Sequence, residues 1–359
     1  MSSTGEFKPA RRKAVRLTSA ELVKTSYLDE GRRGPLVIEP NGGDVNLVSW
    51  AEARREFVEA ELSKHGALLL RGFGVDSVER FEQFVAATSG GALPYGERSS
   101  PRSQVSGNIY TSTDYPAAQR IFLHNEQSYN LRFPLKIYFF CLTPPARGGE
   151  TPVADTRRIL AAVPPEIRER FARRGYTYAR NFGDGLGLSW QDAFQTRSRA
   201  DVERYCREHE ISFEWKPGNR LRTRQTRPAV ARHPRTGELA WFNHATFFHV
   251  STLEGGMGER LLREFGEDDL PNQTYYGDGE PIEPETARLL REIYLREKFL
   301  FAWRQYDVLM LDNVLCSHGR EPFEGPRRVV TGMADPCSWE DALPPPSGAH
   351  GDSNERQES

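Results

Sequence analysis

Cysteine is scarce in this sequence: four residues in 359, at Cys141, Cys206, Cys316 and Cys337, with no CxxC pair among them. Spacing this wide excludes a zinc ribbon and a disulfide framework, and it fits a reducing, cytoplasmic location. Long apolar runs are also missing, and none approaches the roughly 20 residues of a membrane span. The N-terminal stretch MSSTGEFKPARRKAVRL has cations but no following apolar segment, so it does not read as a secretory signal. The sequon at Asn272 then has no glycosylation role. Charge of one sign is lacking too: 48 basic residues face 50 acidic ones, for a net charge of -2. That balance gives no general drive toward nucleic acid or an anionic membrane. Aromatics, in contrast, are plentiful. Twenty Phe, 13 Tyr and 6 Trp supply too much apolar surface for a chain that stays unfolded.

Residues 1–14 read as a flexible arm and 343–359 (LPPPSGAHGDSNERQES) as a disordered tail, which leaves 15–342 as one domain. Ser49 with Glu52, and Asp76 with Glu79, have the spacing of helix caps. They open two helices, the first ending at Gly66. Strand-like segments follow Ala67–Leu70: Ile121–His124, Leu135–Leu142, Tyr176–Phe182, Ile211–Trp215, Leu221–Arg232, Leu239–Asn243, Phe299–Trp303, Val308–Asp312 and Arg327–Ala334. Each is short, rich in β-branched or aromatic residues, and bounded by turn formers. Helical periodicity interrupts them at Glu166–Arg174, Asp201–His209, Glu259–Phe265 and Glu285–Glu297. The pattern predicts an α+β protein, mainly β in its core: a barrel or jelly-roll with flanking helices and a large helical insertion at about 155–300.

The chemistry centres on Leu123-His124-Asn125-Glu126. On a strand, residues two apart share a face, so His124 and Glu126 would aim an imidazole and a carboxylate at one point. His318 lies in DNVLCSHGREPF, just after the strand VLMLD. Two histidines and one carboxylate are the ligand set of the facial triad of non-haem iron(II) oxygenases. A bare His-x-Glu is as readily a strand-end histidine beside an acid. The neighbouring segments decide the weight: Gly148-Gly149-Glu150-Thr151 after the first pair, and Pro326-Arg327-Arg328-Val329 after His318.

Together these motifs resemble the taurine dioxygenase/clavaminate synthase-like family of iron(II)- and 2-oxoglutarate-dependent oxygenases, and the amino-acid hydroxylases of nonribosomal peptide and related natural-product pathways within it. The resemblance runs from Arg12 to about Pro336, through HGALLLRGF, LHNEQSY, CLTPPARGGETPVADTR, WFNHATFFH and VLMLDNVLCSHGREPFEGPRRVV. It implies a cupin-like double-stranded β-helix. It implies that His124, Glu126 and His318 bind Fe(II), that Thr151 offers its hydroxyl to 2-oxoglutarate, and that Arg328, ten positions beyond His318, forms a fork to the distal carboxylate of that co-substrate. Adjacent strand residues point to opposite faces, so Arg327 is the rival, and Arg328 is preferred by the resemblance. The implied reaction consumes O2, decarboxylates 2-oxoglutarate to succinate, and hydroxylates an unactivated C–H of an amino-acid-like small molecule, free or carrier-tethered; desaturation or cyclisation is the alternative outcome. Taurine dioxygenase has a further arginine four residues on, which grips a sulfonate. Here that position is Gly332, which argues against taurine. The iron halogenases have Gly or Ala where this chain has Glu126, which argues against halogenation.

Tyr129, Asn243, His244 and Arg224 are the candidate substrate contacts. His244 and His249 sit five apart without a third ligand, so a metal pair there is disfavoured. Asn125 should face away from Glu126, and Cys316 reads as a buried thiol. Arg220, Arg222 and Arg224 share one strand face. They read as a solvated face or as a contact for a substrate carboxylate or a carrier protein. The loop Gly183–Gly187 reads as a lid. Two readings from other classes stand beside this one: a zinc-dependent hydrolase using the same His/Glu/His set, and a catalytically silent barrel acting as a binding module, against which the complete triad speaks. A hydrolase has no use for a co-substrate clamp at Thr151 and Arg328. No nucleic acid or membrane partner is implied, and the oligomeric state is left open.

Overall fold

The computed structural model describes residues 22–343 apart from 30, 32–33, 95–101, 113–114, 184–186 and 254. The arm at 1–14 and the tail beyond Leu343 lie outside the described residues, as does the middle of the predicted lid loop.

The core is built on two facing sheets. The larger has eight strands in the order Val23–Tyr27, Leu36–Pro40, Ala67–Leu70, Val308–Asp312, Arg132–Thr143, Arg328–Ser338, Ile109–Thr111, Gln104–Ser106. Neighbours run antiparallel except Leu36–Pro40 beside Ala67–Leu70. The smaller sheet has three, Ile121–His124, Cys316–Arg320 and Val153–Asp155, with Cys316–Arg320 in the middle. Alternation along Val308–Asp312 shows how the layers form. Val308 and Met310 join Leu68, Leu70, Phe140 and Val330 against the opening helices. Leu309 and Leu311 turn the other way, to Phe139, Cys141 and Val329, and meet Val153 and Cys316 of the smaller sheet. The strand is buried on both faces, which is why it reads as an unbroken apolar run rather than an alternating one.

Most predicted elements are present, with informative differences. The first helix is capped by Asn46, whose side chain accepts from the Ser49 N–H, and it breaks at Arg54 into Leu47–Ala53 and Arg55–His65. Gly66 ends it in the left-handed conformation, as expected. The next helix is capped by Ser77 rather than Asp76. Phe299–Trp303 is no strand; it makes one bridge, Val153 to Phe299. The region at 155–300 is not simply helical. Tyr176–Phe182, Ser212–Lys216, Arg220–Arg227 and Asn272–Tyr276 form their own four-stranded antiparallel sheet. Its buried face, with Tyr176 and Tyr178, packs with the helices Pro165–Arg174 and Pro284–Glu297 against Phe122 and Leu123 of the smaller core sheet. The insertion therefore braces the strand that carries His124.

Candidate active site

Ile121–His124 and Cys316–Arg320 are adjacent antiparallel strands, and His124 and His318 are direct cross-strand partners. Their rings lie 4.5 Å apart. Glu126 joins them, but not as a strand neighbour. The strand stops at His124, and Glu126 sits in the turn that follows, just before Gln127 at φ 55°. Glu126 therefore does not share a strand face with His124 as expected, although the three side chains converge. One ligand atom from each of the three residues falls within a 4.8 Å cluster, with the His318 Nε2 4.0 Å from the Glu126 Oε2.

The protonation states suit a divalent cation. Burial lowers the pKa of His124, although Glu126 works against it. Burial, then the neighbouring His124 and Arg102, lowers His318 further. Burial alone would raise Glu126; the Arg102 guanidinium and His124 overcome it and hold the carboxyl below its usual range. Two neutral imidazoles and a carboxylate are the deprotonated donors a metal requires. The His124 Nδ1 lies 2.9 Å from the Phe122 carbonyl. That bond assigns the proton to Nδ1 and leaves Nε2 as the donor. This donor set fits iron(II).

A cavity of about 870 Å³ opens on the two histidines. His124, His318, Thr151, His244, Phe139 and Arg327 all line it. Thr151 is buried, and its hydroxyl oxygen accepts from the Trp303 indole N–H at 3.2 Å. The rival arginines separate clearly. Arg328 is exposed and does not line the cavity, whereas Arg327 does. Val329, two residues beyond Arg327, faces the interior cluster, and Val330 faces the helices. The sequence-based preference for Arg328 is therefore corrected: Arg327 is the inward residue. It donates from Nε to the Gly149 carbonyl at 2.9 Å and from Nη1 to the Ser112 hydroxyl at 3.3 Å. No described carboxylate forms an ion pair with it. Burial, with Arg320 nearby, lowers its pKa to about 10. It remains a cation at neutral pH and faces a cavity.

The Gly148-Gly149 pair makes this approach possible. Both have positive φ, and a Cβ on Gly148 would lie 2.2 Å from the Pro322 carbonyl oxygen. On Gly149 it would meet Pro145, Phe323 and the Arg327 Cδ within 3.0 Å. Gly148→Ala should destabilise the fold by at least about 1–2 kcal/mol for the left-handed backbone alone, read as a fall in Tm. Gly149→Ala should in addition push Arg327 aside, read as weaker 2-oxoglutarate binding.

Of the candidate substrate contacts, only His244 lines the cavity. Its Nδ1 is 2.6 Å from the Ser128 hydroxyl, and its ring stacks on Phe248 at 5.1 Å. Burial, then His124, holds it well below the usual imidazole range. Tyr129 is fully buried behind it, in the core of the insertion. Asn243 ties backbone together, donating to the Ala229 carbonyl and accepting from the Ala245 N–H. Arg224 is exposed on the outer face of the insertion sheet beside Asp268, and Arg222 is held by Asp269. These arginines form a solvated face away from the cavity. Asn125 does not line the cavity and donates from Nδ2 to the Asn313 carbonyl, and the Cys316 thiol is buried. Gly187, the last residue of the predicted lid loop, and its neighbour Leu188 border the cavity.

Two residues at the site were missed. Arg102 donates to the Glu126 carboxylate at 2.7 Å, and no periodicity in the sequence marks it. Asn313 brackets the Glu126 backbone. Its signal was the Asp-Asn turn after a buried strand.

The family model described as "Taurine catabolism dioxygenase TauD, TfdA family" matches residues 30–334. The chain belongs to this family. As a TauD/TfdA-family member it is an iron(II)- and 2-oxoglutarate-dependent dioxygenase, with O2 as co-substrate. It is 41% identical over 279 residues to the dapdiamide synthesis protein DdaC of Enterobacter agglomerans, covering 78% of this chain and 85% of that one. It is 26% identical over 322 residues to a clavaminate synthase-like protein of Arabidopsis thaliana, covering 85% and 94%. Among solved structures, PvcB of Pseudomonas aeruginosa superposes with a TM-score of 0.54 at 19% identity, covering 91% of this chain and 95% of PvcB. A taurine dioxygenase of Burkholderia xenovorans gives 0.51 at 14%, covering 90% and 94%. These likenesses show a TauD-like jelly-roll fold. No helix among the described residues is long and apolar enough to cross a membrane.

Proposed function

We propose that this TauD/TfdA-family enzyme hydroxylates an unactivated C–H of an amino acid or amino-acid-derived molecule, free or carrier-tethered, in natural-product biosynthesis. The observation that carries the reading is the convergence of His124, Glu126 and His318, with both histidines on the wall of a cavity that Thr151 and Arg327 also line. In this reading the first three hold Fe(II). Thr151 and Arg327 receive the carboxylates of 2-oxoglutarate, the half-buried guanidinium as a charge-assisted fork. The iron centre, when loaded, supplies oxidative decarboxylation of 2-oxoglutarate to succinate coupled to oxidation of the substrate C–H.

The chain's own residues orient and exclude. His244 stays neutral, and with Nδ1 engaged by Ser128 its Nε2 is left to a polar group of the substrate. Phe247 and Phe248 border the same side of the cavity and favour an apolar substrate body there. Glu126 fills the third ligand position that a halide would need, which supports hydroxylation. The pathway reading draws on DdaC, named for dapdiamide synthesis, and on PvcB, described as acting in an isonitrile synthetic pathway. With position 327 as the clamp, the residue four beyond is Thr331, whose hydroxyl donates to the Tyr138 carbonyl. Neither Thr331 nor Gly332 offers a cation to a sulfonate. The test is a screen of amino acids and carrier-bound aminoacyl groups for substrate-dependent succinate and a product heavier by one oxygen atom. Activity confined to sulfonates would refute the amino-acid reading.

A further inference from the structure

Glu126 is the ligand with the weakest local support. His124 and His318 are fixed by strand pairing, whereas Glu126 lies in a turn beyond the end of its strand. A carboxylate in a turn needs an outside anchor to hold a metal-ligand position. Asn313 supplies one from 187 residues away. Its Oδ1 accepts the Glu126 N–H at 2.8 Å, and its Nδ2 donates to the Glu126 carbonyl at 2.9 Å and to the Pro134 carbonyl at 2.8 Å. Its backbone N–H donates to the Leu135 carbonyl at 2.8 Å, and its carbonyl accepts from the Asn125 Nδ2 at 2.6 Å. The side chain thus pairs with both peptide groups of Glu126 as a neighbouring strand would.

The anchor is itself tied to the other half of the site. Asn313 begins the turn between Val308–Asp312 and Cys316–Arg320, the strand that carries His318. Asp312 fixes that turn: its Oδ1 accepts from the Val314 and Leu315 N–H groups, both at 3.0 Å. Its Oδ2 is 2.8 Å from the Nε2 of buried His233. The Nδ1 of His233 accepts from the Arg235 and Thr236 N–H groups, which places the imidazole proton on Nε2, donated to Asp312.

We propose that Asn313 is a positioning residue that registers the Glu126 carboxylate against His318 and thereby sets the metal affinity of the site. This rests on the metal reading above. Asn313→Asp keeps the shape and the acceptor but turns a carboxylate oxygen toward two carbonyls. Outer-shell changes of this kind typically lower metal affinity 10–100-fold.

The test titrates the apoprotein with cobalt(II) and follows the visible d–d bands. Asn313→Asp should bind at least about tenfold more weakly, with altered band positions. Tyr138→Phe is the stability control, because it removes a buried hydrogen bond to Thr88 on the helix-facing side of the large sheet. It should lower Tm and leave the cobalt titration unchanged. An Asn313→Asp protein with a lowered Tm but wild-type affinity and bands would overturn the proposal. A wild-type chain that took up no cobalt would overturn both it and the metal reading. Should the variant not fold, hydrogen exchange on the wild type decides: the Glu126 amide should be protected like a strand amide, and exchange at the rate of an open turn would contradict the anchor.

Discussion

His318→Ala is expected to bring turnover to background by removing one of the three proposed metal ligands from a buried site. His318 is 4% exposed and sits in the central strand of the small sheet. Water entering the space has no fixed donor to replace the imidazole nitrogen, and the remaining pair cannot hold a facial triad. His124→Ala should do the same. The check is metal content after desalting together with succinate release. A His318→Ala protein that retained iron at the wild-type level would remove the residue from the metal site. Because Phe139 packs on the His318 ring at 5.1 Å, some loss of Tm accompanies the change, so melting curves accompany the metal assay.

The second large effect separates the two adjacent arginines. Arg327→Ala should raise the 2-oxoglutarate requirement about 10- to 150-fold, the equivalent of a charge-assisted fork of about 1.5–3 kcal/mol. Arg328→Ala, at an exposed position, should change it little, as surface substitutions usually do. Arg327→Lys should recover only part of the loss, since an ammonium cannot form the planar fork. The guanidinium must be protonated to act, and burial lowers its pKa to about 10. Co-substrate affinity should therefore be flat through neutral pH and fall as pH rises toward 10. A titration of 2-oxoglutarate against activity for the three variants measures all of this. The opposite ranking, with Arg328→Ala the damaging change, would reverse the assignment.

The comparison of these two residues shows where sequence reading reached its limit. Alternation establishes that one of Arg327 and Arg328 faces inward. Which one depends on the register of the last core strand, and that register shifts between Arg328 and Val329 as they pair with Thr143 and Cys141. A one-residue slip exchanges the faces, and nothing local records it. His124 was legible because it ends a strand with a clear apolar pattern, Ile121–His124; His318 was legible from the motif that follows the strand Val308–Asp312, since its own strand, Cys316–Arg320, carries no such pattern. Glu126 was legible as a residue, but its support was not, since Asn313 reaches it across 187 positions. The candidate contacts Tyr129 and Asn243 failed for a related reason. Aromatic and amide side chains beside a ligand motif serve the core as readily as the cavity, and only packing against the insertion separates the roles. The spans at 176–182 and 308–312 were read to the residue, because strand limits follow local composition. The insertion sheet was not read, because its strand Asn272–Tyr276 joins Tyr176–Phe182 across nearly a hundred residues.

One measurement tests the central claim most directly, and it needs no knowledge of the substrate. Iron(II) is added to the anaerobic apoprotein, followed by 2-oxoglutarate, and the visible spectrum is recorded. The geometry of His124, Glu126, His318, Thr151 and Arg327 predicts the charge-transfer band of the chelate in the wild type. The band should be absent in His124→Ala and should appear only at raised 2-oxoglutarate in Arg327→Ala. A wild-type protein that gives no band, and instead retains zinc tightly, would contradict the assignment of these residues as the site of oxygenase chemistry.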